Sequence, residues 1–388
     1  MILDVGPVAP GGHCVARTAE GQVVFVRHAL PGERVRVEVT EEHRGYLRAD
    51  AVEVLAGSPD RVVPPCPYAG VCGGCDFQHV APAAQRELKA AVVREQLTRL
   101  AGLSVAEVDE LGVRVEELPG GPLGWRTRVR YTVDAAGRAG LLAHRSHQVV
   151  PVDRCRIAHP AIQELSVTGT EWPLDDEVTT VVSGTGEVAV FGDRSQLVSG
   201  PEVLRERAVG RDWVVDVDGF WQVHPYVADA LAGTVLELLR PKPGERAWDL
   251  YGGVGPFAAV LAGAVGPDGR VVLVESDRAG VDAARLNLAD LANVEVVRST
   301  VERFRPPYPP DVVVLDPPRA GAGAAVVRTL VAVRPRAVAY VSCDPASFSR
   351  DVATFGKQGW RLGAVRAFDA FPMTHHVECV GLLAPPNG

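Results

Sequence analysis

The spacing of hydrophobic residues changes along the chain, and each spacing predicts a different kind of element. Residues 1 to about 57 alternate short valine-rich runs with Gly and Pro turns, which predicts a small antiparallel β-barrel. Residues 81–101 repeat apolar positions at helical intervals, with Leu88, Val92, Val93, Leu97 and Leu100 on one side, which predicts one amphipathic helix. From about 113 to 218 the pattern is β-rich with many turns.

The carboxyl half alternates short apolar runs with helical segments, the pattern of a doubly wound parallel sheet. The predicted strands are 246–250, 271–275, 294–297, 312–316, 337–343 and a final pair near 360–368 and 376–383. In such sheets ligands bind outside the carboxyl ends of the strands. The residues that directly follow these runs are therefore the first candidates for a site.

Composition and charge narrow the class of protein. A chain of 388 residues is long enough for two or three domains. No apolar run approaches membrane-spanning length and no export signal is evident, so we expect a cytoplasmic protein with no membrane partner. The formal net charge of -8 does not by itself predict a nucleic-acid partner, although local basic patches are compatible with that charge.

Three cysteines, Cys66, Cys72 and Cys75, lie close together in a glycine-bearing segment. In a chain without an export signal this clustering favours metal ligation over disulfides. Cys155 is the best candidate for a fourth ligand, because Cys14 belongs to another module and the remaining cysteines fall in the catalytic region. Four thiolates suit structural zinc or an iron–sulfur cluster, and the spacing does not choose between them.

The segment 249–257 follows the first predicted strand and carries a Gly-Gly-x-Gly turn that opens a helix. Glu275 ends the next strand, where a carboxylate can accept hydrogen bonds from ribose hydroxyls. No phosphate-binding lysine follows the turn, so S-adenosylmethionine fits this loop better than ATP or NAD. The alternative is a tight strand–helix turn that binds no ligand.

Two neighbouring strand ends predict a reactive site. Asp316 begins an Asp-Pro-Pro-Arg loop, and Cys343 follows the next strand beside the start of a helix, where partial positive charge favours a thiolate. Downstream, Glu378 lies in a largely apolar stretch, where burial raises the pKa of a carboxyl group and suits it to proton abstraction. The alternatives are a buried structural cysteine and a surface glutamate on an edge strand.

A further strand candidate, 125–133, alternates so that Arg126, Arg128 and Arg130 share one face. This face is either a phosphate-contacting stripe or a solvated surface with scattered salt bridges, and the sequence favours neither.

Taken in order, several short motifs resemble the RNA uracil-5-methyltransferase family, in its branch that carries a TRAM domain and an iron–sulfur cluster. They are the cysteines 66, 72, 75 and 155, Phe220-Trp-Gln222, Asp316-Pro-Pro-Arg319, Ser342-Cys-Asp-Pro345 and the segment 371–378, and residues 11–34 are similar to a TRAM domain. Three positions depart from the family pattern: His224, Tyr251 and Pro256.

The resemblance implies an α/β fold: a Rossmann-like class I methyltransferase domain, an N-terminal OB-like TRAM β-barrel and a β-rich iron–sulfur central domain. The expected boundaries are 1–60 for the TRAM-like barrel, 61–78 with 113–218 for the central domain, and 79–112 with 219–388 for the methyltransferase domain. The family places the cofactor S-adenosylmethionine among Gln222, Tyr251, Glu275 and Asp316. It also implies a 4Fe-4S cluster, in preference to zinc, on Cys66, Cys72, Cys75 and Cys155.

The resemblance further implies that Cys343 adds to carbon 6 of a uracil and that Glu378 removes the proton at carbon 5. The expected partner is RNA, with 23S rRNA as the first candidate and tRNA as the alternative, and the expected state is a monomer. Two other functions stay open: a non-catalytic RNA-binding or assembly factor, and a small-molecule C-methyltransferase.

Overall fold

The computed structural model describes residues 1–172, 176–306 and 308–386. Residues 173–175 of the expected central domain, and 307 and 387–388 of the expected methyltransferase domain, lie outside the described residues. Within the described ranges, none of the helices has both the length and the apolar character that crossing a bilayer requires.

The N-terminal segment forms a six-stranded sheet in the order β1-β5-β6-β4-β3-β2. Its strands are β1 (Ile2–Asp4), β2 (Val8–Ala9), β3 (His13–Arg17), β4 (Val23–Arg27), β5 (Arg34–Glu42) and β6 (Tyr46–Ala56). In β5, apolar and polar residues alternate, so the apolar ones lie on the inner face of the sheet. Val35 and Val37 are buried, whereas Arg36 between them is exposed. The neighbouring strands pair antiparallel except for β4 with β6. The sheet is confirmed, and its closure into an OB-like barrel stays a prediction.

The predicted amphipathic helix is present as α1 (Pro82–Arg99), but its apolar residues serve two cores. Val93 and Leu97 are buried in the core of the carboxyl-terminal half, whereas Leu88 and Val92 pack against the N-terminal sheet. The expectation of a single apolar side was therefore wrong, because a helix held between two bodies buries two sides. The short helix α2 (Val105–Glu110) and the strand β7 (Val115–Glu117) follow.

The β-rich middle of the chain forms a second six-stranded sheet in the order β10-β9-β8-β11-β12-β13, followed by a two-stranded hairpin. The sheet comprises β8 (Arg128–Val133), β9 (Ala139–Leu142), β10 (Val149–Val150), β11 (Glu177–Val182), β12 (Val188–Phe191) and β13 (Leu197–Ser199); the hairpin is β14 (Val203–Ala208) and β15 (Arg211–Asp216), and α3 (Pro160–Gln163) lies between β10 and β11.

The carboxyl-terminal part is an eight-stranded sheet in the order β18-β17-β16-β19-β20-β22-β21-β7, with helices between its strands. Its elements are α4 (Val227–Leu239), β16 (Arg246–Leu250), α5 (Pro256–Val265), β17 (Arg270–Glu275), α6 (Arg278–Asn287), β18 (Val294–Arg298), β19 (Val312–Leu315), α7 (Gly323–Val333), β20 (Ala337–Ser342), α8 (Pro345–Gly356), β21 (Arg361–Asp369) and β22 (Glu378–Ala384). The strand order reverses between β16 and β19, which places the ligand-binding crevice at their carboxyl ends.

The expected parallel pairing is present from β18 to β20 and does not continue to the far side of the sheet. Strand β22 lies between β20 and β21 and runs antiparallel to both. The segment 370–377 that joins β21 to β22 is too short for the crossover that a parallel pair needs. In addition, β7 adds to the outer edge beside β21 from a distant part of the chain.

Candidate active site

A cleft of about 1020 Å³ opens at the carboxyl ends of the central strands. Its lining includes every residue predicted from the sequence to act on the substrate or the cofactor: Gln222, Tyr251, Glu275, Asp316, Cys343 and Glu378. The fold thus brings together residues that are spread over more than 150 positions of the chain. Pockets of this size suit a cofactor together with part of a second substrate.

The glycine-bearing turn after β16 is hydrogen-bonded to Glu275, the last residue of β17. The N–H group of Gly253 donates to Oε2 of Glu275 at 3.0 Å, and the N–H group of Asp277 donates to Oε1 at 2.8 Å. These bonds fix the carboxylate of Glu275 at the rim of the cleft. Tyr251 lies in the same turn with a left-handed φ of 64°, a conformation that costs energy for a tyrosine and is found at functional turns.

Asp249 lies directly beneath this turn and was not singled out from the sequence. Its side chain is fully buried, and its Oδ2 accepts a hydrogen bond from the N–H group of Ala258 at 2.8 Å. Burial, with a smaller contribution from the carboxylates of Asp316 and Glu275, raises the pKa of Asp249 to about 8. The signal in the sequence was a carboxylate inside an apolar strand, which an α/β protein retains for a reason other than packing.

Cys343 follows β20, and the side chain of Asp344 caps α8 by accepting a hydrogen bond from Ser347 N at 2.6 Å. Burial raises the pKa of the Cys343 thiol to about 11; the nearby Glu378 raises it too, whereas Arg319 lowers it. The expectation that the helix start favours a thiolate was therefore wrong for the free protein. Desolvation is the largest influence on this thiol and favours its neutral form.

Glu378 is the first residue of β22 and is 5% exposed. Burial raises its pKa well above the ordinary value, and the carboxylate of Asp316 adds to this effect. The raised pKa of Glu378 agrees with the expectation from the sequence. The side chain is more completely buried than its largely apolar stretch alone indicates. A surface position on an edge strand is excluded, because β22 lies between β20 and β21.

Asp316 directly follows β19 and begins the proline-stiffened loop that lines the cleft beside Cys343. Burial raises its pKa to about 7. The thiol of Cys343 and the carboxyl groups of Glu378 and Asp316 thus converge in low-dielectric surroundings. Each is held closer to its neutral form than it would be in water.

The four predicted metal ligands, Cys66, Cys72, Cys75 and Cys155, line one small cavity beside the cleft. All four are free thiols, and the N–H group of Gly74 donates to Sγ of Cys72 at 3.4 Å. Within the described residues, no group of three or more His, Cys, Asp or Glu side chains is arranged to hold a metal ion. The structure therefore places the four thiols around one cavity but not in a metal-binding arrangement.

The predicted arginine stripe is divided between different surroundings. Arg130 forms an exposed ion pair with Glu177 at 3.2 Å, whereas Arg128 is only partly exposed. Arg126 precedes β8, lines the cleft as well as the cysteine cavity, and donates from Nε to the carbonyl of Arg128 at 2.9 Å. Of these three arginines, only Arg126 lines the cleft.

Several lining residues had no individual role in the sequence-based prediction, among them Trp125, Phe220, Phe371, Thr374 and His376. Single aromatic and polar residues in loops carry no periodic signal, so only the tertiary structure could assign them to the cleft.

The three positions that depart from the family pattern lie in different surroundings. Tyr251 lines the cleft, and Pro256 opens α5. His224 is buried, its ring stacks on Trp125 at 5.8 Å, and burial lowers its pKa to about 4.

Comparison with known proteins identifies three matching family models. A TRAM domain model matches residues 2–52, and a tRNA (Uracil-5-)-methyltransferase model matches residues 305–385. A third model, for protein-L-isoaspartate(D-aspartate) O-methyltransferase, matches residues 224–302, the part that contains the glycine-bearing turn.

Relatives match over nearly the whole chain. An uncharacterized RNA methyltransferase of Streptomyces avermitilis is 47% identical and covers 99% of this chain and 98% of its own length. An uncharacterized RNA methyltransferase of Bifidobacterium longum is 37% identical over 96% of this chain and 94% of its own.

Among solved structures, the Pyrococcus abyssi tRNA (uracil-54, C5)-methyltransferase in complex with S-adenosyl-L-homocysteine has the same fold. It aligns with a TM-score of 0.74 at 24% identity over 99% of this chain and 100% of its own. The whole-length relatives, the TRAM match and the uracil-5-methyltransferase match agree with one another. The chain belongs to the RNA uracil-5-methyltransferase family.

Proposed function

We propose that this protein methylates carbon 5 of a specific uridine in RNA, using S-adenosylmethionine and a covalent adduct on Cys343. The observation that carries the proposal is the convergence of Cys343, Glu378 and Asp316 in one cleft. Carbon 5 of uracil is a poor nucleophile, so the reaction needs a second nucleophile that first activates the ring. Cys343 is the nucleophilic side chain of this cleft.

The electrons balance in three steps. Sγ of Cys343, once its proton has passed to solvent, adds to carbon 6, and the ring's double-bond electrons move toward carbon 5. Carbon 5 then forms a bond to the methyl group, and the electrons of the broken bond between that methyl group and the cofactor's sulfur stay on the sulfur. The carboxylate of Glu378 then takes the proton from carbon 5. The electrons of that C–H bond restore the carbon 5 to carbon 6 double bond, and the carbon–sulfur bond breaks to release the Cys343 thiolate.

The chain's own residues fit S-adenosylmethionine at the rim of the cleft. The carboxylate of Glu275 is held in place by Gly253 and Asp277, where it can accept hydrogen bonds from ribose hydroxyls. A Cβ atom placed on Gly253 would meet only open space, so a ligand can approach the backbone there. Gln222, Tyr251 and Asp316 complete this end of the cleft. When bound, the cofactor supplies an electrophilic methyl group on a cationic sulfonium, whose charge favours the ionised forms of the nearby thiol and carboxyl groups.

The Pyrococcus abyssi enzyme with the same fold was solved with S-adenosyl-L-homocysteine, which supports this cofactor assignment. That enzyme is a tRNA methyltransferase, and the matching family model is also named for tRNA. We take 23S rRNA as the first substrate to test and tRNA as the alternative that these names favour. A uridine must leave its stack to reach Cys343, so a loop or bulge is the expected target.

We also propose that Cys66, Cys72, Cys75 and Cys155 hold a 4Fe-4S cluster. Four free thiols around one cavity form a complete donor set for such a cluster. No redox step occurs in the reaction, so the cluster would support the fold or the bound RNA.

The decisive experiment is trapping with 5-fluorouridine. The protein is incubated with S-adenosylmethionine and with 23S rRNA or tRNA transcripts in which 5-fluorouridine replaces uridine. Because fluorine at carbon 5 is not removed as a proton is, the adduct should survive denaturation and map to Cys343. Sequencing the attached RNA names the target uridine. A well-folded, cofactor-binding protein that forms no adduct with either RNA would be the non-catalytic factor or the small-molecule methyltransferase.

A further inference from the structure

The segment 370–377, between β21 and β22, forms one wall of the active-site cleft. Phe371, Thr374 and His376 line the cleft, and Glu378 follows directly. Met373, in the middle of the same segment, is buried against Trp125 and Ile157. Contacts to this buried residue are therefore where other parts of the protein can fix the position of the wall.

Helix α1 holds the beginning of this wall through a buried charge pair. Nζ of Lys89 lies 2.6 Å from Oδ1 of Asp369, the last residue of β21, and also donates to the carbonyl of Phe371 at 3.0 Å. The Lys89 and Asp369 side chains are 0% and 5% exposed, so neither can turn to water for an alternative partner.

One helical turn earlier, Gln85 holds the middle of the wall with a side chain that is completely buried. Its Oε1 accepts from the N–H group of Met373 at 2.9 Å. Its Nε2 donates to the carbonyls of Phe77 at 3.1 Å and Val80 at 2.9 Å, and lies 3.2 Å from Sδ of Met373. A single amide group thus joins the wall to the segment that follows the cysteine loop.

That segment also binds the wall directly. The N–H groups of Asp76 and Phe77 donate to the carbonyl of Met373 at 3.0 and 2.9 Å. Nδ1 of His375 donates to Oδ2 of Asp76 at 2.6 Å. Asp76 follows Cys75, so the position of the cysteine loop and that of the wall are physically linked.

Met373 adopts a left-handed φ of 68°, which is costly for a residue other than glycine. Such a conformation persists only where the surroundings hold it on several sides. The carbonyl and the N–H group of Met373 are both engaged by the contacts described above, and its side chain is 4% exposed. The wall is thus strained at its centre and is held there by Gln85 and by the loop that bears Cys75.

We propose that Gln85 is a positioning residue for proton abstraction: through Met373 it sets the wall from which Glu378 extends. The inference rests on the proposed function, in which Glu378 is the base. Cys343 follows β20, outside the segment 370–377. Loss of the Gln85 amide should therefore slow the release of methylated RNA much more than it slows the addition of Cys343 to the ring.

The test uses the RNA that forms the 5-fluorouridine adduct, prepared both with 5-fluorouridine and as an unmodified transcript. Two quantities are measured. These are the rate of adduct formation with the 5-fluorouridine RNA and the fraction of enzyme covalently bound to unmodified RNA during turnover. Glu378→Gln serves as the reference, because without the base the methylated adduct cannot eliminate. For Gln85→Leu we expect near wild-type adduct formation and a turnover rate reduced on the order of tenfold to hundredfold, with the covalent fraction raised accordingly.

Gln96→Leu is the matched control, since Gln96 is a buried glutamine of the same helix whose side-chain amide, among the described residues, donates to Glu95 and not to the wall. Gln85→Glu is the conservative variant: it keeps the acceptor for Met373 N and should recover part of the turnover. It also serves as the second variant if Gln85→Leu does not fold.

Two results would overturn the inference: a wild-type covalent fraction in both Gln85 variants, or an equal loss of adduct formation and turnover in both. Failure of the proposed function looks different, because Glu378→Gln itself would then accumulate no adduct.

Discussion

Ser342 pairs with Cys379 across the antiparallel ladder between β20 and β22. This register places Cys343, which follows β20, beside Glu378, which begins β22, and both line the same cleft. The proposed nucleophile and base therefore meet because one antiparallel strand is inserted into an otherwise parallel arrangement.

Cys343→Ser should lower methyl transfer by at least about 10⁴-fold, because the hydroxyl is a far weaker nucleophile than the thiolate. Binding of S-adenosylmethionine, measured by calorimetry, should stay unchanged. Cys379→Ala is the control, since the buried neighbour should be dispensable for the 5-fluorouridine adduct. An adduct that persists in Cys343→Ser would assign the nucleophile to another residue.

Asp249→Asn should make stability less dependent on pH. The pKa of Asp249 is about 8 in the folded protein and 3.8 for the ordinary side chain. Between these values the unfolded chain is ionised while the folded protein keeps its proton, so rising pH favours unfolding, by up to about 1.4 kcal/mol per pH unit. The asparagine stays neutral and keeps an acceptor for Ala258 N.

Urea unfolding from pH 5 to pH 7.5 checks this prediction. The free energy of unfolding of Asp249→Asn, relative to the wild type, should increase with pH. Two parallel curves would show that Asp249 does not titrate abnormally.

Lys89→Met should lower the free energy of unfolding by about 3–5 kcal/mol, because Asp369 would be left as a buried charge without its partner. Replacing both residues, as Lys89→Met with Asp369→Leu, should recover most of this loss. Arg99→Met is the control on the same helix, where the exposed pair with Glu95 at 3.7 Å should contribute less than about 0.5 kcal/mol. A double variant as unstable as the single one would contradict this account.

Cys155→Ser should remove the cluster, because the serine hydroxyl replaces one of four thiolate ligands. We expect iron and acid-labile sulfide in the wild type, measured after anaerobic purification, and a large loss of both in the variant. Cys14→Ser, in the N-terminal sheet, should keep the full content. A full metal complement in Cys155→Ser would exclude the four-thiolate assignment, and zinc without sulfide would exclude the cluster.

The sequence alone determined strands β16 to β22 of the carboxyl-terminal sheet to within a residue or two, but did not predict β7. Buried strands such as 312–315 are continuous runs of valine and leucine, bounded by polar or turn residues, and that local pattern needs no knowledge of the partner strands. For the same reason Glu275, which ends its strand, and Asp316 and Cys343, which follow theirs, could be placed at one edge of the sheet.

The tertiary structure alone decided which strands pair at the far side and which groups are buried. Val115 pairs with Ala367, and Gln85 binds Met373, 288 positions away; no local pattern encodes contacts across such distances. The raised pKa of the Cys343 thiol was also beyond the sequence, because desolvation depends on everything packed around the thiol. Chemical identity is local and can be read from the chain, whereas burial and pairing are properties of the whole fold.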